Sequence, residues 1–123
     1  LGKTEQDVTY FFGSFLPMNN FSNGNLLVQN ELQSMMHSST ALRDALCAVA
    51  SLHRFQRAQY IGSGFEDLNG RRSAMQLYVG SVRCVQAHIT QDKFADDPST
   101  LWTTFLLGLF EVRETVRLYV MTI

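Results

Sequence analysis

Cysteine is scarce in this chain. There are two, Cys47 and Cys84, among 123 residues. Two thiols cannot build a disulfide framework or a four-thiolate zinc cluster, and their rarity fits a reducing, intracellular compartment. Proline is equally scarce. With 46% hydrophobic and 17% charged residues, the composition lies far from that of disordered chains. Charge of one sign is lacking too. A formal net charge of −1 gives no basic excess to attract nucleic acid or an acidic membrane surface. Long apolar runs are absent. The longest near-continuous one, Phe105 to Phe110, is far short of the ~20 residues that a membrane-spanning helix needs. Strand-like alternation bounded by turns is missing, and no fixed repeat is visible. The length suits one small domain with a real core. The first residue is leucine, so the chain is expected to be a fragment.

What is present is helical periodicity. Thr4 reads as an N-cap with Asp7 three positions on, a capping-box pattern. Val8, Phe11, Phe12 and Phe15 then recur at helical spacing, and Pro17 should follow the end of this first helix over residues 4–16. A loop over 17–25 leads to a second helix at 26–36. The "HSST" hydroxyls at 37–40 should start a third helix ending at Tyr60. Its alanines 45, 48 and 50 widen the apolar surface, so contact on more than one face is expected. Arg43, Ser51 and Arg54 form its narrow polar side. A loop with three glycines, residues 61–70, precedes a fourth helix from Arg71 to Ile89. There Met75, Tyr78, Val82, Val85 and Ile89 make a heptad-like seam. Asp97-Pro98 is a strong start signal for a fifth helix carrying Leu101, Trp102, Phe105, Leu106, Leu109 and Phe110. The expected fold is all-α: about five helices in antiparallel hairpins, a partial helical array.

Chemistry is thinly marked. Cys47, His53, Cys84 and His88 could in principle hold a metal. Cys84 and His88 share a helix face, but the six-residue spacing of Cys47 and His53 turns them apart. Buried cysteines and partly buried histidines are the favoured reading, with no metal or cofactor. "ADDPST" lacks the third acid of an aspartate-rich terpene-cyclase motif, and capping accounts for Asp96 and Asp97. "GSGFED" lacks the third glycine and the preceding strand of a dinucleotide loop. No serine sits in a nucleophile elbow. Arg54, Arg57, Arg71, Arg72 and Arg83 could touch phosphates, but pairing with Glu66 and Asp67, or solvation, is favoured. Asn20-Phe21-Ser22 matches a glycosylation sequon, read as chance. Phe11, Phe15, Phe55, Trp102, Phe105 and Phe110 could line an apolar cavity for a small hydrophobic effector, or form ordinary core, which is favoured. A small helical enzyme has the least support, and no catalytic residue is assigned.

Four segments taken together are more specific than any one: "YFFGSFLPMNNFSN", "SSTALRDALCAVASLH", "AMQLYVGSVRCVQAHI" and "DPSTLWTTFLLGLFE". Their order and spacing resemble the fungal-specific transcription factor domain, the regulatory or middle homology region of six-cysteine zinc-cluster transcription factors. The resemblance spans residues 8–111 and carries no catalytic signature. It implies an all-α array longer than this chain, nuclear residence and a regulatory role. The implied partners are other segments of the full-length factor or another protein, and in some members a hydrophobic effector. The six-cysteine cluster is absent, so no direct DNA binding is expected of this piece, and the resemblance supplies no ligand-binding residue.

The resemblance stops at Glu111. A Val-Arg pair, here Val112-Arg113, can be encoded by an intron's 5′ splice-donor form. Residues 112–123 are therefore expected to be read through from an unspliced intron, or otherwise to be an anomalous tail. "FLLGLF" would then be a central core helix whose later partners lie elsewhere, and the isolated chain should be poorly soluble or cover that apolar surface by self-association.

Overall fold

The computed structural model describes residues 2–19, 26–60, 68–89 and 97–122. Every regular element among them is helical. Helix α1 (Lys3–Tyr10) runs into a π-helical turn (Phe11–Phe15) and on into α2 (Leu16–Asn19). Then come α3 (Leu26–Ser38), α4 (Thr40–Tyr60), α5 (Leu68–His88) and α6 (Pro98–Thr122). The fold is all-α, as expected.

Two expected starts are seen in atomic detail. The Ser39 hydroxyl accepts the Leu42 amide at 3.2 Å and caps α4. The Asp97 carboxylate accepts the Ser99 amide at 2.9 Å, and Pro98 takes the first helical position of α6.

The first helix departs from expectation at both ends. It begins at Lys3 behind Gly2, without a side-chain cap. Asp7 closes no capping box; it is buried against α4 instead. Nor does Pro17 stop the helix, which continues to Asn19. The reason lies in the turn before it. The Leu16 amide bonds to the Phe11 carbonyl, five residues back. That wider π turn breaks the i−4 ladder, the very ladder in which a proline ring would clash and leave a bond unmade.

Helix α4 is the central post. It packs against α1, the π turn, α3, α5 and α6. Its residues 45–50 are buried without interruption, which meets the expectation of contact on several faces. The α4–α5 contact is close because small residues line it: Ala45 and Ala48 are fully buried on α4, and Ala74 and Ser81 on α5. The Ser81 hydroxyl donates to the Ala41 carbonyl at 2.8 Å, so the buried oxygen is satisfied. Met75, Tyr78, Val82 and Val85 flank that line, half-buried against the core. Ile89, expected to end the seam, is exposed.

Helix α6 lies across this pair. Leu106, Leu107 and Phe110 point inward and are buried. The Tyr78 and Phe110 rings stack at 4.7 Å. The helix passes through Glu111 and reaches Thr122 without a break. Within residues 112–123, Arg113 and Glu114 join the body of the fold. The Arg113 guanidinium lies 5.2 Å from the Phe15 ring centre, and Glu114 accepts two bonds from Arg71, at 2.6 and 3.1 Å.

Candidate functional site

The surface feature that the fold leaves unexplained is the outer side of α6. Leu101, Phe105, Val112 and Val116 are 46–63% exposed. With Gly108 they fall within about 80° of arc at 3.6 residues per turn, opposite the buried face. The stripe is roughly 22 Å long at 1.5 Å per residue. Helix α6 is thus apolar on two opposite sides, and among the described residues α3, α4 and α5 pack on the inner one. Phe105 sits edge-on to Trp102, with ring centres 5.9 Å apart, which fixes part of the stripe. A Cβ added at Gly108 would meet nothing within 4 Å.

The second feature is a polar knot where α1 meets α4. Asp7 is 1% exposed. Its carboxylate accepts from Lys3 Nζ at 2.9 Å, from Ser51 Oγ at 3.1 Å and from Arg54 Nη2 at 2.8 Å. Lys3 Nζ also donates to Ser51 Oγ at 2.8 Å. A buried carboxylate is costly unless paired and hydrogen-bonded, and here both oxygens are engaged. Two of the three residues expected on the polar side of α4, Ser51 and Arg54, therefore dock α1, while Arg43 is exposed. Beside it runs a groove of about 570 Å³, lined by Lys3, Ser51, Arg54, Phe55, Ala58, Gly70 and Ser73.

The metal candidates do not converge. Among the described residues, no group of three or more His, Cys, Asp or Glu could hold a metal ion. Cys47 is buried in the core, and burial, with Asp7 and Asp44 adding to it, pushes its thiol up to about 12. His53 shares a 2.6 Å hydrogen bond with the Tyr10 hydroxyl through Nδ1 and lies edge-on to Phe15. Burial, followed by the charges of Arg113 and Arg57, pulls the imidazole down to about 4. Cys84 is half-buried on α5, and the exposed His88 bonds to its carbonyl at 2.6 Å.

The aromatic candidates divide. Phe11, Phe15, Phe55 and Phe110 are core. Trp102 is half-buried, and Phe105 belongs to the exposed stripe. Of the six, Phe55 alone also lines a groove described here. The arginines divide as well. Arg54 pairs with Asp7 and Arg71 with Glu114; Glu66 and Asp67, named as partners from the sequence, lie outside the described residues. Arg72 and Arg83 flank a shallow groove of about 400 Å³ on α5 with Met75, Gln76, Val79 and Gly80. Arg57 is exposed. The sequon, "GSGFED" and Asp96 also fall outside the described residues.

Sequence reasoning missed the Asp7 knot, the Arg71–Glu114 pair and the bond from the Tyr78 hydroxyl to Glu111, which raises the phenol to about 12. Only the Lys3–Asp7 pair, four residues apart on one helix, carries a local signal; the partners 33 to 47 residues apart leave none. No helix among the described residues is long and apolar enough to cross a membrane. No known protein family, curated protein or solved structure matches the chain.

Proposed function

We propose that this chain is a non-catalytic regulatory domain of the kind found in fungal zinc-cluster transcription factors, working by helix packing against partner segments. The observation that carries the packing part is the α6 stripe. Four large apolar side chains are held outward on a helix whose other side is anchored in the core. Such a surface suits a helix laid along it. The family part rests on the four segments of that resemblance, each of which is helical over its described residues: the π turn with its phenylalanines and α2, the serine-capped α4, α5 with Tyr78 near its middle, and α6 behind Asp97-Pro98. Nuclear residence belongs to the same proposal. DNA contact would fall to another part of the full-length factor.

A reporter assay tests it. The chain is placed between a heterologous DNA-binding module and an activation segment. The proposal predicts that the chain changes reporter output and that Phe105→Glu, at an exposed site, reverses the change without altering protein level. Output indifferent to the chain would count against a regulatory role.

A further inference from the structure

We infer that the outer stripe of α6 pairs with the same stripe of a second copy, antiparallel, about a two-fold axis between residues 108 and 109. This rests on the reading of that face as the docking face and names its occupant. Three observations carry it.

The first is register. An antiparallel pair centred there sets Leu101 opposite Val116 of the second copy and Phe105 opposite its Val112. Gly108 then faces Leu109. Every exposed apolar residue of the stripe meets an apolar residue, as a self-complementary two-fold contact requires. A parallel pair would instead stack each residue on itself, glycine on glycine.

The second is Gly108. Glycine is among the poorest residues for a helix interior. Among the described residues nothing requires it, because a Cβ would meet none of them within 4 Å. At the centre of a helix–helix crossing, a missing side chain lets the two backbones approach, and the half-buried Leu109 of the second copy fills the gap.

The third is area. The four side chains present on the order of 400 Å² per copy, within the range of the largest apolar patch on an ordinary monomer. Thr104, Glu111 and Thr115 are exposed along one flank of the stripe and form a polar rim. With them, the two-fold contact reaches on the order of 1,000 Å², where weak specific pairs begin. A contact of this size is at the small end for specific pairs, so a concentration-dependent, reversible association is expected.

The test is sedimentation of the whole chain over a micromolar-to-millimolar series, with disulfide trapping. The inference predicts a concentration-dependent dimer. It predicts that Gly108→Leu abolishes the dimer while helical ellipticity and thermal midpoint are kept. In a Cys84→Ser background, the double variant Phe105→Cys/Val112→Cys should form a cross-linked dimer on mild oxidation, and either single variant should not. Within one helix, positions 105 and 112 are roughly 10 Å apart, too far for an internal bridge. A monomer throughout the series overturns the inference. So does a dimer unchanged by Gly108→Leu, or cross-linking of the single variants as efficient as that of the double. If the chain stays monomeric but Phe105→Glu still alters the reporter, the docking face stands and the second copy is wrong. Loss of both removes both readings.

Discussion

Replacing Asp7 by asparagine should cost more than any surface substitution, and the structure sets how much. The carboxylate is 1% exposed and has three partners. A hydrogen bond to a charged group contributes roughly 1.5–3 kcal/mol. The sum is not simply three of these. Lys3 and Arg54 keep 47% and 35% of their side-chain surface in water, so both regain solvation when the acid is neutralised. Breaking a fully buried pair costs ~3–5 kcal/mol, and the present loss falls below that because only the acid is buried. Asparagine keeps one acceptor for Ser51 or Arg54. The expected loss is about 2 kcal/mol for Asp7→Asn and about 3 kcal/mol for Asp7→Ala. For a domain of this size the former lowers the thermal midpoint by roughly 6–10 °C. Arg54→Ala should cost less, about 1 kcal/mol, because it is a half-exposed partner. Urea unfolding followed by helical ellipticity measures all three, and the double variant measures the Asp7–Arg54 coupling directly. An Asp7→Asn protein within about 0.5 kcal/mol of wild type would refute the view that this knot fastens α1 to α4.

Further predictions concern other buried groups. His53 has a folded-state value near 4 against 6.5 unfolded, so between these the unfolded chain holds the extra proton. Stability should therefore rise with pH through that window and be lost as pH falls from 6.5 toward 4. The ceiling is about 3 kcal/mol, reduced to about 1–2 kcal/mol by the solvent reaching a half-buried ring. His53→Gln should flatten the profile, and an unchanged slope would exclude His53 as its source. Phe110→Ala removes a buried ring stacked on Tyr78 and should cost about 3–5 kcal/mol in urea unfolding. With a thiol near 12 and almost no exposure, Cys47 should resist alkylation until the chain unfolds, while the half-buried Cys84 reacts in the native state. Mass spectrometry after brief iodoacetamide treatment reads both, and native labelling of Cys47 would contradict its placement.

Much of the fold was legible in short-range signals. Ser39 and Asp97 announce helix starts because their side chains bond amides two or three residues on. The alanines of α4 announce a many-sided helix because small side chains matter only where neighbours come close. Pro17 misled, because the π turn that accommodates it is a backbone event that no residue type marks. Asp7 misled for a different reason. Its spacing from Thr4 fits a cap, but its partners Ser51 and Arg54 lie on another helix, and two local patterns cannot show which helix docks where. The stripe on α6 was hidden by abundance. When a helix is apolar on two opposite sides, periodicity cannot tell the side that packs into the core from the side turned outward. Leu101 and Phe105 therefore read like Leu106 and Phe110, although only the latter two are buried.

The most direct test is to sequence the mature transcript through this region and its upstream reading frame. Assignment to a zinc-cluster regulatory domain predicts a stretch of six closely spaced cysteines encoded upstream. A complete upstream frame without it would contradict the assignment. The same transcript decides the tail, on which two proposals make opposite demands. Read-through requires the codons for 112–123 to be spliced out, whereas the α6 pairing draws half its apolar contacts from Val112 and Val116. Retained codons leave the stripe native and end the read-through reading; excised codons remove those contacts from the natural protein.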